Sequence, residues 1–181
     1  MAEKNTYVDF ELEDGTTVKL TLQFYRLYML KNTNKKAVYD RYNKINAEGF
    51  KEELDMVDVL YTAYLCANVK EIDTCMTREE FLMNMPVDRE YIGDTYNMLV
   101  NPKKKQGFRK AFRDKTKRLK KRIRVPRFPL EDVEDYYTYY VEILEISEEI
   151  FWYADIAFVK NVAENKAVYD RWLSSVRESE G

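Results

Sequence analysis

Two short runs near the start of the chain alternate between apolar and polar side chains, which is the period of a half-buried β-strand. The apolar members of the two runs are Val8, Phe10, Leu12, Val18, Leu20 and Leu22. Asp14 and Gly15 separate the runs, and glycine accepts the positive φ of a tight turn. The pattern predicts an antiparallel hairpin with one buried face. Because a lone hairpin is marginally stable, we expect helices to cover that face.

The apolar period then changes from two to about 3.6 residues, which predicts helices. The first two helices carry Phe24, Leu27 and Tyr28, and then Val38, Tyr42 and Ile45. Residues 32–34 break the pattern between them. A longer helix is predicted over residues 54–68, where a broad apolar stripe is typical of a core helix. Thr77 and Glu80 match a capping box, and Asp88 fits the cap of a helix that runs to about residue 100.

A strongly basic stretch follows, and its apolar residues also recur at helical spacing. They are Phe108, Phe112, Leu119 and Ile123. This spacing predicts an amphipathic helix that Pro126 and Pro129 end.

The remaining sequence is acidic and aromatic and predicts three more helices. The first carries Val133, Tyr137, Tyr140, Val141 and Leu144 at helical spacing. Ser147 is a good N-cap for a helix through Phe151 and Trp152. The last helix is predicted over about residues 164–176, with Val168 and Trp172 as a buried pair.

These elements predict a mostly helical α+β fold in three parts. Residues 1–102 hold the hairpin packed on a helical bundle, residues 103–129 form the basic connecting helix with a proline-containing hinge, and residues 130–181 form a small helical unit. The hexapeptide at residues 36–41, KAVYDR, recurs at residues 166–171. It indicates either an internal duplication or two amphipathic helices with similar buried pairs, and the flanking sequences diverge quickly.

Charge separates the same three parts. Residues 1–102 carry a net charge of −6, residues 103–127 a net charge of +13, and residues 128–181 a net charge of −9. The overall net charge of −2 therefore conceals a basic segment between two acidic ones. Such asymmetry is informative about partners.

Composition makes most enzyme chemistry improbable. The chain contains no histidine, which removes the commonest general base and metal ligand, and its two cysteines match neither a zinc site nor a redox pair. The five glycines are widely separated, so no phosphate-binding loop is indicated. We expect no catalytic residue, no metal and no cofactor. The chain has no apolar run of about 20 residues and no apolar signal core near its start, so we expect a cytoplasmic protein without a membrane role.

Several segments of the sequence resemble those of a known protein family. The hairpin, the segments FYRLYMLKNTNKKAVYDRYNKI and LDMVDVLYTAYLCAN, and TREEFLMNMP resemble the N-terminal part of tail assembly chaperones of long-tailed bacteriophages. The segment SEEIFWYADIAFVKNVAENKAVYDRW resembles the C-terminal extension of the longer form of those proteins. The resemblance consists of apolar and aromatic patterns and covers nearly the whole chain.

The resemblance implies a chaperone that keeps the tape measure protein soluble and recruits tail tube subunits, acts as a homo-oligomer in the host cytoplasm, and is absent from the mature virion. It implies a programmed ribosomal frameshift near Lys103, Lys104 and Lys105. The residues in the unit expected to contact the tape measure protein are Phe24, Tyr28, Val38, Tyr42, Tyr61 and Tyr64. The residues in the unit expected to contact the tail tube are Phe151, Trp152, Tyr153, Phe158 and Trp172.

The basic segment leaves a second interpretation open. Its candidate docking cations are Lys103, Lys104, Lys105, Arg109, Lys110, Arg113, Lys117, Arg118, Lys120, Lys121 and Arg122. Three roles are open for these cations. They would dock on acidic surfaces, such as residues 131–135 or a neighbouring subunit, bind nucleic acid with Phe108 and Phe112 stacked on bases, or belong to a solvated linker. The first is favoured, because those aromatics share the stripe on which the helix would pack.

A third interpretation is an enzyme that uses paired carboxylates. The available groups are Glu131, Asp132, Glu134, Asp135, Glu148 and Glu149. Neighbouring carboxylates on a helix point in different directions, and acids in a first turn complement the helix dipole. A solvated face is therefore the favoured interpretation of these acids.

Overall fold

The computed structural model describes residues 7–101 and 130–180. The elements before residue 101 are β1 Val8–Glu11, β2 Thr17–Leu20, α1 Phe24–Lys31, α2 Lys36–Glu48, α3 Glu53–Ala67, a 3-10 helix at Val69–Thr74, α4 Arg78–Met83 and α5 Arg89–Val100. The elements after residue 130 are α6 Val133–Tyr137, a π-helical segment at Thr138–Ile143, α7 Glu148–Tyr153 and α8 Ile156–Glu180. The predicted mostly helical α+β fold is confirmed.

The predicted hairpin is present. β1 and β2 pair in antiparallel register, with Val8 opposite Leu20 and Phe10 opposite Val18. Gly15 has a φ of +81° in the turn between them, a conformation that glycine adopts without steric cost. Phe10 and Leu20 are fully buried, so the apolar face that the alternation predicted lies against the helices.

Helix α3 is the core helix, as its broad apolar stripe predicted. Leu60, Ala63 and Leu65 are inaccessible to solvent, and the helix packs against β2, α1, α2 and α5. The backbone of Thr21, just after β2, donates a hydrogen bond of 3.1 Å to the Ala63 carbonyl. Sheet and core helix are therefore joined by the main chain as well as by side-chain packing.

The residues after 130 complete the same core. Phe151 is fully buried beside Phe24, and the backbone N–H of Ile156 donates to the Leu22 carbonyl over 3.1 Å. A second hydrogen bond joins the two parts of the chain, because the N–H of the buried Val133 donates to the Tyr39 hydroxyl over 3.0 Å. The division of the chain into three parts stays a prediction, but the described residues of its first and third parts share one hydrophobic core.

Three predictions about the C-terminal part are wrong in detail. The last helix begins at Ile156, eight residues before the predicted start, because Ile156 and Val159 extend its buried face towards the core. Val168 and Trp172 are exposed rather than a buried pair, since no element among residues 7–101 and 130–155 covers that part of the helix. The helix after Val133 is not uniformly α-helical either, and widens into the π-helical segment.

The basic segment and its predicted helix lie outside the described residues. Within residues 7–101 and 130–180, none of the helices combines the length and the apolar character that crossing a membrane requires.

Candidate protein-binding surface

Four aromatic side chains on α1 and α7 form two neighbouring ring pairs at the surface, which together we name the aromatic surface. Its members are Tyr25, Tyr28, Trp152 and Tyr153. The rings of Tyr25 and Tyr153 lie 5.5 Å apart between centroids, and those of Tyr28 and Trp152 lie 6.0 Å apart with an edge-to-face tilt of 66°. The three tyrosines keep 39%, 42% and 49% of their area exposed in chain order, and Trp152 is partly buried.

The aromatic surface is held in place by the core beneath it. Phe24 and Phe151 stack at 4.4 Å on the buried side of the same two helices. The side-chain amide of Gln23 donates a hydrogen bond of 3.0 Å to the Tyr153 carbonyl, and an isolated β-bridge joins Gln23 to Asp155. Because both helices are anchored at these points, the exposed rings belong to a rigid platform.

A shallow groove of about 80 Å³ borders the aromatic surface. Its lining consists of Gln23, Tyr25, Arg26, Met29, Val69, Lys70 and Tyr153. Arg26 donates to the Cys66 and Ala67 carbonyls at the end of α3, over 2.9 and 3.1 Å, and its guanidinium lies over the Tyr7 ring. The groove thus combines aromatic and methionine side chains with two cations, which suits an apolar segment that carries an acidic or polar edge.

The structure separates the residues that were expected to contact the tape measure protein. Phe24, Tyr42, Tyr61 and Tyr64 are buried in the core, Val38 is partly buried, and Tyr28 is exposed on the aromatic surface. Burial raises the pKa of Tyr42, of Tyr64 and, to about 12, of Tyr61, because it disfavours the charged phenolate. The core would have to open before these five buried or partly buried side chains could contact a partner directly. Their assignment stays a prediction.

The residues expected to contact the tail tube fall into two places. Phe151 is buried, while Trp152 and Tyr153 belong to the aromatic surface beside Tyr28. Phe158 and Trp172 are exposed along α8. Residues from both predicted sets therefore meet on one surface, which the sequence could not show because α1 and α7 are more than a hundred residues apart.

Tyr25 was missed as a site residue. It lies three residues before Tyr28, so the two share a helix face turned away from the buried Phe24 and Leu27. That spacing is a usable signal for an exposed aromatic pair.

The acidic residues of α6 and α7 have local structural partners. Asp132 and Asp135 form a capping box at the start of α6, and Glu134 accepts a hydrogen bond of 2.6 Å from Lys31. Glu148 accepts from the Tyr137 hydroxyl over 2.9 Å, which raises the pKa of that hydroxyl. The docking of the basic segment on residues 131–135 stays a prediction, because all of its cations lie outside the described residues.

Among the described residues, no group of three or more cysteine, aspartate or glutamate side chains is placed to hold a metal ion. The partners found for Asp132, Asp135 and Glu148 are those of helix caps and surface hydrogen bonds.

Comparison of the chain with protein family models, with curated proteins and with solved structures finds no match.

Proposed function

We propose that this protein is a non-covalent assembly chaperone of a long-tailed bacteriophage, which keeps the tape measure protein soluble and recruits tail tube subunits. The proposal rests on the sequence resemblance, and the observation that supports it best is the aromatic surface. Three exposed tyrosines and a partly buried tryptophan lie together on two helices that are anchored to the core. Grouped exposed aromatic side chains of this kind are typical of a protein-binding surface.

The chemistry of the aromatic surface fits an apolar helix as client. Tyrosine and tryptophan provide large contact areas with few rotatable bonds, so little conformational entropy is lost when a partner covers them. Met29 in the adjacent groove adds an adaptable contact, and Arg26 and Lys70 border it with positive charge. A client helix with an apolar stripe and an acidic edge would match this arrangement.

The binding mode implies that many copies act on one client. A tape measure protein is long and apolar, whereas the aromatic surface spans only two short helices, α1 and α7, of eight and six residues. Several chaperone molecules would therefore cover successive parts of the client. The bound copies would leave when tube subunits take their place.

Co-expression with the cognate tape measure protein tests the proposal. We expect the tape measure protein to be soluble with the wild-type chain and to aggregate without it. Replacing Tyr28 and Tyr153 together by glutamate places two charges on the aromatic surface and should abolish solubilisation. Met83→Glu is the matched control, because Met83 is 85% exposed at the end of α4 and is not part of that surface.

Two outcomes would contradict the proposal. One is a tape measure protein that is equally soluble with and without the chain. The other is equal solubilisation by the wild-type chain and the Tyr28→Glu, Tyr153→Glu variant, provided that circular dichroism shows the variant to be folded. A pull-down with tail tube subunits tests the second activity separately, with Phe158→Ser and Trp172→Ser as variants of the exposed predicted contacts.

A further inference from the structure

Helix α8 continues well beyond the core on which it packs. Its first two turns are anchored by Ile156, Val159 and Ala163, all of which are buried. From residue 164 to residue 178 none of its side chains is buried. At about 1.5 Å per residue, the part of α8 after Ala163 extends roughly 25 Å past the last buried residue.

Five apolar residues and one asparagine of this helix recur at the spacing of a heptad repeat. We name these six positions the α8 seam. The six positions are separated alternately by four and three residues: Phe158, Val162, Asn165, Tyr169, Trp172 and Val176. This 3.5-residue spacing is the pattern by which two helices wind around each other. At about 100° per residue, the centre of the seam lies roughly 130° around the helix from the centre of the face formed by Ile156, Val159 and Ala163. The two faces meet only at Val162, which is partly buried and packs against the core, and the other seam positions lie away from the core face.

The seam is open to solvent. Phe158, Tyr169 and Trp172 keep 52%, 55% and 47% of their area exposed, and the last two rings lie 5.8 Å apart. Val168, also exposed, and Leu173 border the seam and widen it. Because an aromatic side chain can bury about 150–250 Å², these three alone leave roughly 300 Å² uncovered per molecule. With the bordering residues, two paired seams would bury on the order of 1,000 Å² in total, which reaches the lower range of specific interfaces.

We propose that α8 pairs with α8 of a second copy of this chain as a parallel two-stranded coiled coil. Asn165 favours the parallel orientation, because only there does it face its own counterpart and exchange side-chain hydrogen bonds. An antiparallel pair would place it against Val162, Tyr169 or Val176 instead.

This dimer goes beyond the proposed chaperone function and does not depend on any client. It would cover Phe158 and Trp172, so tube binding through those residues would require the seam to separate. The aromatic surface lies on other helices, α1 and α7.

Sedimentation equilibrium of the full chain from about 1 to 200 μM tests the association, across the range where short coiled coils dissociate. We expect a monomer–dimer equilibrium whose dissociation constant rises at least about tenfold in Trp172→Glu, since a charge in the seam must be desolvated. Ser174→Glu is the matched control, because Ser174 is exposed on the side opposite the seam. Circular dichroism verifies that each variant is folded. A monomer at every concentration, or a folded Trp172→Glu variant that dimerises as well as the control, would overturn the proposal.

Cysteine cross-linking tests the orientation, in a Cys75→Ser background that removes the partly exposed native thiol. We expect Val176→Cys to form an intermolecular disulfide on mild oxidation, because a parallel seam brings the two copies of residue 176 face to face. Ser174→Cys should remain monomeric on a non-reducing gel. A dimer in which Val176→Cys fails to cross-link would overturn the parallel orientation.

Discussion

Phe24 and Phe151 stack with their ring centroids 4.4 Å apart and their planes 10° from parallel, although 126 positions separate them in the chain. Both side chains are almost inaccessible, and Tyr136 and Tyr140 close the cluster around Phe24. The contact joins the first helix after the hairpin to α7. It makes the residues after 130 part of the core on which the aromatic surface depends.

Phe151→Ala should therefore destabilise the whole molecule. Removing a fully buried phenylalanine costs about 3–5 kcal/mol, from the lost burial and the cavity that remains. A double-mutant cycle with Phe24→Ala should give a coupling energy of about 0.5–1.5 kcal/mol for the stacked rings. Urea unfolding followed by circular dichroism measures both quantities.

Tyr153→Ala is the control for that experiment. It removes an aromatic side chain from the same helix, but Tyr153 is half exposed, so we expect a cost below about 1 kcal/mol. Two separate unfolding transitions in the wild-type chain, or a Phe151→Ala variant no less stable than the control, would contradict the single shared core.

Asp58 is the centre of a second interaction that the sequence did not indicate. Its buried carboxylate accepts hydrogen bonds from Arg41 Nε over 3.1 Å and from Arg78 Nε over 2.6 Å, joining α2 and α4 to α3. Both arginines are partly exposed, so they can be hydrated when the carboxylate is removed. We expect Asp58→Ala to lower the free energy of unfolding by about 2 kcal/mol, which is less than the loss of one partner of a wholly buried ion pair would cost.

Asp40→Ala provides the matched control for Asp58→Ala. Asp40 pairs with Lys36 over 2.6 Å on the exposed side of α2, and such i, i+4 pairs contribute less than about 0.5 kcal/mol. Equal free energies of unfolding for the two variants would show that the bridge between Arg41 and Arg78 adds no stability.

The repeated hexapeptide shows why the sequence predicts elements better than surfaces. Both copies are helical, as their local pattern predicted. Tyr39 in the first copy is buried and bonded to the backbone of Val133, whereas the corresponding Tyr169 is 55% exposed. Local propensity and periodicity determine that each copy is a helix, but which face is covered depends on elements that pack from elsewhere in the chain.

The difference between local pattern and distant packing also explains which other features were predicted and which were missed. The hairpin and helices α1 to α5 depend on turn residues, caps and periodicity within a few residues, and all were predicted. The aromatic surface depends on α7 packing on α1, for which no local signal exists. The π-helical segment was missed because its apolar residues fit an α-helical period, and Tyr140 within it is buried as that period predicts.

Glu145, just after that segment, has a strained backbone. Its φ of +53° is a left-handed conformation that costs a residue with a Cβ about 1 kcal/mol or more. Glu145→Gly should stabilise the protein by about 0.5–1 kcal/mol, because the side chain is exposed and its ion pair with Lys166 spans 3.3 Å near the surface. Thermal or urea unfolding measures the change.

Glu145→Gln separates strain from charge. It keeps the Cβ and the backbone strain but removes the ion pair with Lys166, so we expect it to be at most slightly less stable than the wild-type chain. If glycine at this position were no better than glutamine, the left-handed conformation would carry no measurable strain.

Cys66 makes stability depend on alkaline pH. It is fully buried in α3, and burial raises the pKa of its thiol to about 12, whereas a thiol in the unfolded chain titrates near about 8.5. Because the folded pKa is the higher one, the protonated thiol's contribution is complete below about pH 8.5 and is lost as pH rises towards 12. We expect the free energy of unfolding to fall more steeply in the wild-type chain than in Cys66→Ala over this window.

Urea unfolding at pH 7, 9 and about 10.5 checks this dependence, and the difference between the two proteins cancels most of the contribution of the buried tyrosines. Cys66→Ala should be less stable than the wild-type chain at pH 7, because the packing of the sulfur is lost. The difference in free energy of unfolding between the two proteins should narrow as pH rises. Cys75→Ser is the control, because Cys75 is only partly buried and its pKa is raised less. A thiol reagent at pH 8 should modify Cys75 in the folded protein and Cys66 only as the molecule opens. A gap that stays constant from pH 7 to 10.5, together with rapid modification of Cys66 in the folded state, would show that this thiol is not held in the core.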